Sequence, residues 1–333
     1  MDHEIKQFER VERLIQELTE GDDPYPQIIE IHPTDICNHK CIYCFRRNHR
    51  YEPSKKKEVL GLEHYQSLFE EMQALKIIDL SVSGGGEPTM DNRLTCILKE
   101  AHKRALSTRL VTNGTFLEND LIEELKSAKE IRFSLDAVEA DTYSRIHGVP
   151  RDLFYKALDN IQRVIDVKKE NGLELKIGTT FLVNKENYQE AVDFCERMLQ
   201  LGIDEIIIKH DIYSIHKISK QKLEELLDKL ELIQDSRLNI RRQTSMEMNE
   251  LRCFIPYFKI SLNPYGDVYS CCLASQPGET NGYKLGNIKK KNIAEVWETS
   301  QELRLAIRTK GVHCNYCNYT DYLLNKLMER HMR

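Results

Sequence analysis

Apolar positions along this chain switch between two periods. A polar stretch with apolar residues at helical spacing covers about residues 3–20 and ends at Gly21-Asp22-Asp23-Pro24, a helix stop. β-rich runs follow at Ile28–His32, Ile77–Ser83, Ser107–Thr112, Ile131–Leu135, Leu175–Val183 and Glu205–Lys209. Between them helical spacing returns near 62–75, 91–105, 117–128, 153–171, 186–200 and 219–234. Strand then helix, six times over, predicts a parallel sheet with helices outside it. Such a sheet buries both faces, as the run Ile206-Ile207-Ile208 requires. The expected fold class is α/β, a partial (β/α)6 TIM-like barrel with its functional residues at the C-terminal strand ends.

Past residue 235 the pattern changes. Two β-rich runs flank Asn263-Pro264-Tyr265-Gly266-Asp267, which is turn chemistry, so a hairpin is expected to deliver Cys271 at its end. A helix is predicted over Ile293–Arg308. The expected domains are an N-terminal helix (1–27), the partial barrel (28–235) and a small hairpin-plus-helix extension (236–333).

Composition narrows the function. The 48 Lys and Arg against 53 Asp and Glu give a net charge of −5, which does not recommend a nucleic acid as partner. No apolar run nears the ~20 residues needed to cross a bilayer, and the N-terminus lacks a signal-peptide hydrophobic region. A cytoplasmic protein without a membrane partner is expected, and in a reducing compartment the clustering among its 10 cysteines favours metal over disulfides.

Two cysteine groups carry the chemistry. Cys37, Cys41 and Cys44, spaced CxxxCxxC after the first strand, can reach three corners of one 4Fe-4S cubane and leave one iron open to bind a molecule from solution. Zinc is the alternative, although no local CxxC or His pair completes a tetrahedral set. The second group is Cys253, Cys271, Cys314 and Cys317, with zinc again the alternative. Cys272 follows a proposed ligand and, by strand alternation, should face away from it. It is either a spare thiol or a hydrogen-atom donor. Cys96 and Cys195 sit at apolar helical spacing and are expected to be buried.

Other candidates stand at strand ends. Ser83-Gly84-Gly85-Gly86-Glu87-Pro88 follows the second strand; its glycines let backbone approach a ligand and its carboxylate can accept from an ammonium group. Thr112-Asn113-Gly114 follows the third. Ser134 and Asp136 end the fourth, where alternation puts both on one face. His210 ends the sixth at the rim where substrate would lie, and is a candidate base or a solvated loop histidine.

The run Thr34-Asp35-Ile36-Cys37-Asn38-His39-Lys40-Cys41-Ile42-Tyr43-Cys44, with an aromatic before the third cysteine, resembles the signature of the radical S-adenosylmethionine (SAM) superfamily. Gly85, Gly86, Glu87 and Pro88 match its Gly-Gly-Glu-Pro element, which implies a role in holding the methionine amino group. The resemblance further implies SAM-binding roles for Tyr43, Asn113, Ser134 and Asp136, and for Asn184 with Asn187 at the adenine and ribose end. Tyr143-Ser144-Arg145-Ile146-His147-Gly148 is similar to a family pattern ending Arg-Gly; His147 replaces that arginine, and Arg145 is the carboxylate-binding candidate. The second group resembles the SPASM and twitch extensions, which carry auxiliary 4Fe-4S clusters: a cysteine, twelve residues, Gly266, four residues and Cys271 match the opening element. Leu285-Gly286-Asn287-Ile288 and Glu295-Val296-Trp297 resemble the SPASM helix region. No cysteine follows Cys317, so the shorter twitch form with one auxiliary cluster is expected. The resemblance covers residues 28 to about 320.

It implies SAM bound at the open iron, one-electron cleavage to a 5′-deoxyadenosyl radical, and hydrogen abstraction from a substrate, with a flavodoxin or ferredoxin as electron donor. Two outcomes fit: oxidation or epimerisation of a small metabolite such as an amino sugar, aminocyclitol or nucleotide-linked sugar, or epimerisation or cross-linking of a ribosomally made peptide. Peptide enzymes often carry a leader-binding domain, for which the 27 residues before the first strand are too few, and this favours the small molecule. A non-catalytic iron–sulfur electron carrier is the third class, disfavoured by the open iron.

Overall fold

The computed structural model describes residues 2–44, 46, 58–211, 216–241, 252–274, 283–310 and 317–332, and side chains from residue 9 onward. Strands β1 (Ile28–Ile31), β2 (Asp79–Val82), β3 (Ser107–Thr112), β4 (Glu130–Ser134), β5 (Lys176–Val183) and β6 (Glu205–His210) pair in parallel, in chain order. Helices alternate with them: α1 (Asp2–Glu20), α2 (Leu62–Ala74), α3 (Leu94–Lys103), α4 (Asn119–Leu125), α5 (Ala140–His147), α6 (Asp152–Asn171), α7 (Ala191–Leu201) and α8 (Lys220–Glu231).

The sheet is wider than the six expected strands. A short β7 (Leu238–Ile240) joins β6 in parallel. At the other edge β8 (Lys259–Leu262), the first strand of the expected hairpin, pairs in parallel with β1, and β9 (Asp267–Tyr269) and β10 (Lys284–Asn287) continue from it antiparallel. The result is one ten-stranded sheet, β10-β9-β8-β1-β2-β3-β4-β5-β6-β7, so the extension is built onto the barrel edge. The helix expected over Ile293–Arg308 is two, α10 (Ile293–Thr299) and α11 (Gln301–Lys310), divided at Ser300; one-turn α9 (Ile255–Phe258) precedes β8, and α12 (Tyr319–His331) ends the described chain.

Register sorts the side chains into two faces, because residues paired across parallel strands share a side. Phe181 stacks on Phe194 of α7 at 4.7 Å, so its face is the helix-covered one. The other face, toward the lumen, carries Glu30, Ser81, Arg109, Glu130, Arg132, Ser134, Thr180, Leu182, Ile207 and Lys209. Complete barrels fill this space with apolar layers; here it is ionic. Cys195 is buried in α7 as expected, whereas Cys96 is exposed, because Leu94, Ile97, Leu98 and Ala101 form the buried stripe of α3 and Cys96 falls opposite it.

Arg304 of α11 fastens the extension to the linker before β1. Fully buried, it lies 3.6 Å over the Trp297 ring and pairs with Asp23. Removing it leaves the linker carboxylate without its partner and opens a hole beside Trp297. Arg304→Ala is expected to cost about 3 kcal/mol in a urea melt followed by Trp297 fluorescence.

Candidate functional site

The loop after β1 is tied down on both sides. Gly86 N–H donates to Thr34 O at 3.0 Å and Glu87 N–H to Ile36 O at 2.8 Å, which joins the glycine-rich turn to the cysteine loop. From α5, His147 O accepts from Lys40 N–H at 2.8 Å and Ile146 O from Ile42 N–H at 2.9 Å. The approach needs glycine at Gly86, where a Cβ would lie 2.2 Å from the backbone oxygen Ile36 O; beside Gly85 lies the guanidinium of Arg46, which pairs with Asp35 at 2.7 Å.

Cys37, Cys41 and Cys44 are free thiols on this loop, and Cys44 N–H donates to Cys41 O at 3.2 Å in the turn that draws the last two together. Desolvation by the surrounding loops, with the charges of Glu87 and Cys44 nearby, pushes the Cys37 thiol up to about 11 although part of the residue is exposed; burial and the neighbouring cysteines push Cys41 well above the ordinary thiol value. Three thiolates this close repel one another unless a cationic metal centre joins them, and such a centre reverses the shift. The donor set therefore fits a cluster. His147 Nδ1 lies 3.2 Å from Cys41 Sγ while its Nε2 faces Leu135 O at 3.1 Å, so Nε2 carries the proton. Burial lowers this imidazole to about 4 and keeps it neutral.

Glu87 is buried, and its carboxylate is already engaged. Oε1 accepts from Thr89 N–H at 3.1 Å, Thr89 Oγ1 at 2.9 Å and Thr112 Oγ1 at 2.6 Å, while among the described residues Oε2 accepts only from Asn113 N–H at 2.7 Å. One acceptor position on Oε2 is left for an ammonium group. Pro88 opens the 3-10 turn that Glu87 caps. Asn113 donates from Nδ2 to Asn38 Oδ1 at 2.8 Å, which fixes the end of β3 to the cysteine loop.

Alternation does not carry from Ser134 to Asp136. The strand stops at Ser134, and Asp136 adopts φ +56°, a left-handed conformation that aspartate tolerates better than most residues. This turns its carboxylate into the site: Oδ2 accepts from the Tyr43 hydroxyl and Oδ1 from Leu182 N–H at 2.6 Å. Burial raises the carboxyl to about 6 against the pull of those bonds. Asn187 Nδ2 donates to Asp136 O at 2.8 Å, and its Oδ1 accepts from Asn184 N–H at 2.7 Å. Asn184 in turn donates to Leu182 O at 3.1 Å. Tyr43, Asp136, Asn184 and Asn187 thus form one network beneath the cysteine loop. Arg145 is outside it, with a half-exposed side chain that donates to Thr142 Oγ1 at 3.1 Å.

At the auxiliary group, Cys317 feels the charges of Cys253, Cys271 and Cys272. Cys314 lies outside the described residues. β9 ends at Tyr269, so Cys271 and Cys272 occupy the turn beyond it and alternation does not separate them. Cys272 is within electrostatic reach of Lys259 and Glu30 as well as Cys271, between the auxiliary cysteines and the lumen.

Three polar lumen groups escaped sequence reasoning. Glu30 Oε1 meets His32 Nε2 at 2.8 Å and accepts from Ser83 Oγ at 2.9 Å; despite burial, His32 and these contacts hold it at about 2. Lys259 pairs with Asp321 at 2.9 Å. On β6 the lumen position is Lys209; His210 pairs in register with Val183 on the helix-covered face, its ring bonded to the backbone of Arg241. Burial lowers the His210 pKa. The signal was parity: Lys209 is even-spaced with Ile207 and Glu205, and His210 is not.

A family model described as the radical SAM superfamily matches residues 31–198, and one described as an iron–sulfur cluster-binding domain, SPASM, matches residues 253–318. The tungsten-containing aldehyde ferredoxin oxidoreductase cofactor-modifying protein of Pyrococcus furiosus is 23% identical over 86% of this chain and 86% of its own length. A probable GTP 3′,8-cyclase of Saccharolobus solfataricus is 30% identical over 57% of each chain. Among solved structures, Streptococcus suis SuiB bound to S-adenosylmethionine superposes with a TM-score of 0.66 at 18% identity, over 86% of this chain and 68% of that one. Native anSMEcpe with bound AdoMet gives 0.61 at 17%, over 92% and 95%. Among the described residues no helix is long and apolar enough to cross a membrane.

Proposed function

Because the chain belongs to the radical SAM superfamily and carries a SPASM iron–sulfur domain, we propose that it takes a hydrogen atom from a small, charged metabolite and so oxidises or epimerises it. Its cofactors are a 4Fe-4S cluster, SAM and an auxiliary iron–sulfur cluster. When bound, the open-iron cluster and SAM supply one-electron cleavage of the sulfonium bond and a carbon radical able to abstract hydrogen. In this reading Cys37, Cys41 and Cys44 hold the first cluster, and Cys253, Cys271, Cys314 and Cys317 hold the second. Glu87 Oε2 receives the ammonium of SAM, and Ser134 faces its other end from the lumen. Asp136, Asn113 and Asn184 act by holding the loops that shape the pocket, since their polar atoms are bonded to protein. Cys272, beside Lys259, is the candidate hydrogen donor to a substrate radical, and Lys209 displaces His210 as the titratable group of β6 that meets substrate.

The observation that carries this reading is the half-buried cation Lys209 on the lumen face at the C-terminal end of β6, since a small charged molecule can meet it where an apolar peptide segment cannot. A relative whose name gives GTP as its substrate favours the same side. The peptide reading is favoured by neighbours described with bound peptides, SuiB with its precursor SuiA and anSMEcpe with Kp18Cys. Anaerobic reconstitution tests the common core: with SAM and reduced flavodoxin or dithionite, the protein is expected to form 5′-deoxyadenosine slowly without substrate, read by chromatography. No 5′-deoxyadenosine above a SAM-free control would sink the assignment.

A further inference from the structure

We propose that Lys209 and Arg241 form an anion-binding subsite at the C-terminal mouth of the barrel that receives a phosphoryl group of the substrate. The proposal rests on the reading that the lumen mouth is where substrate lies. Arg241 N–H donates to Ile208 O at 2.9 Å, which carries the β6–β7 ladder one residue beyond Ile240 and sets Arg241 beside Lys209 on the lumen face. Lys209 is in register with Leu182, whose N–H holds Asp136, so the pair borders the proposed SAM pocket.

What distinguishes these two cations is that neither side chain has an ion pair or hydrogen bond among the described residues. Their neighbours are all engaged. Arg132 pairs with Glu130 and Glu205, Lys176 reaches Glu205 at 3.2 Å, and Lys259 holds Asp321 at 2.9 Å. Of the carboxylates within electrostatic range, Asp136 is taken by Tyr43 and Leu182, and Glu205 and Asp321 by the cations just named. Burial and mutual repulsion push Lys209 down to about 7 and lower Arg241 as well. Two like charges kept in a partly desolvated place without a counterion are a standing cost, which a bound anion removes.

The pair also selects the anion. A carboxylate carries one charge and leaves one cation uncompensated, whereas a phosphoryl dianion balances both. Its tetrahedral oxygens can meet the planar fork of Arg241 and the point charge of Lys209 from different directions.

Calorimetry on the SAM-loaded protein with both clusters reconstituted tests this, with inorganic diphosphate as the probe and acetate as the monocarboxylate control. Diphosphate is expected to bind at one site, and Lys209→Met and Arg241→Met each to weaken it at least about tenfold, the loss typical of a charge-assisted bond. Lys209→Arg should keep most of the affinity. Methionine in place of an unpaired cation does not threaten the fold, and thermal melts verify that. No diphosphate binding to the wild type, unchanged binding in both methionine variants, or acetate binding as tightly as diphosphate would overturn the proposal. So would a parallel loss of SAM affinity in Lys209→Met, which would assign the lysine to the SAM carboxylate. Wild-type 5′-deoxyadenosine formation, measured alongside, separates failure of the subsite from failure of the functional reading.

Discussion

Replacing Cys37, Cys41 and Cys44 together by alanine is expected to halve the iron of the reconstituted protein, from about eight to about four atoms per chain, and to abolish 5′-deoxyadenosine formation. Besides the contacts of Cys37 Sγ with His39 N–H and Cys41 Sγ with His147, the loop that carries the three cysteines is fixed by bonds that involve no thiol. Thr34 and Ile36 accept from the glycine-rich turn, Lys40 and Ile42 donate to α5, and the Tyr43 hydroxyl is anchored on Asp136. Loss of the thiols should therefore leave the barrel folded, and far-ultraviolet circular dichroism should match the wild type. Because desolvation and neighbouring charges raise Cys37 to about 11 and raise Cys41 as well, assembly has to drive deprotonation. Two protons or more should be released as the cluster forms. Iron near eight in the triple variant would place both clusters elsewhere; zinc with a single cluster in the wild type would remove the auxiliary assignment.

The strand-and-helix alternation was legible because each short strand keeps a β-branched or apolar residue at most positions of its helix-covered face, and because each crossover needs a helix of its own. The cysteine loop was legible because spacing within one loop is local. What the sequence hid is non-local or a matter of one residue. That β8 lies parallel to β1 follows from a pairing between segments some 230 residues apart, Ile28 with Lys259 onward, and no local pattern announces it. β7 spans three residues, too few for a period. Asp136 leaves the alternation of β4 through a positive φ, and Cys272 leaves that of β9 because the strand has already ended. Lys209 and His210 differ only in parity, and the histidine stands out in sequence because its ordinary pKa suits a base. Lys209, lowered to about 7 by burial and neighbouring cations, titrates where an exposed histidine would.

Removing the auxiliary cluster is expected to split the chemistry in two. With Cys253 and Cys317 both replaced by alanine, 5′-deoxyadenosine should still form without substrate, while an oxidised product should disappear. The reason is electron count: abstraction of one hydrogen atom leaves a substrate radical, and a two-electron oxidation needs an acceptor for the second electron. In the proposed reading the auxiliary cluster would be that acceptor, held by cysteines that lie within electrostatic reach of Cys272, which in turn feels Lys259. Folding of the extension is a condition of the test, since metal sites and small domains fold together. Two features favour survival: β8 is part of the main sheet through β1, and Arg304 with Asp23 and Trp297 holds the following helices to the linker. Asn325, which donates to Cys253 Sγ at 3.7 Å, also holds Phe254 N–H at 2.8 Å and should keep that contact when the thiol is gone. Iron at about four per chain with an unchanged dichroism spectrum would certify the variant. If that protein turned substrate into the same product near the wild-type rate, the auxiliary cluster would be structural, net oxidation would lose its acceptor, and epimerisation, with Cys272 returning a hydrogen atom, would become the better account.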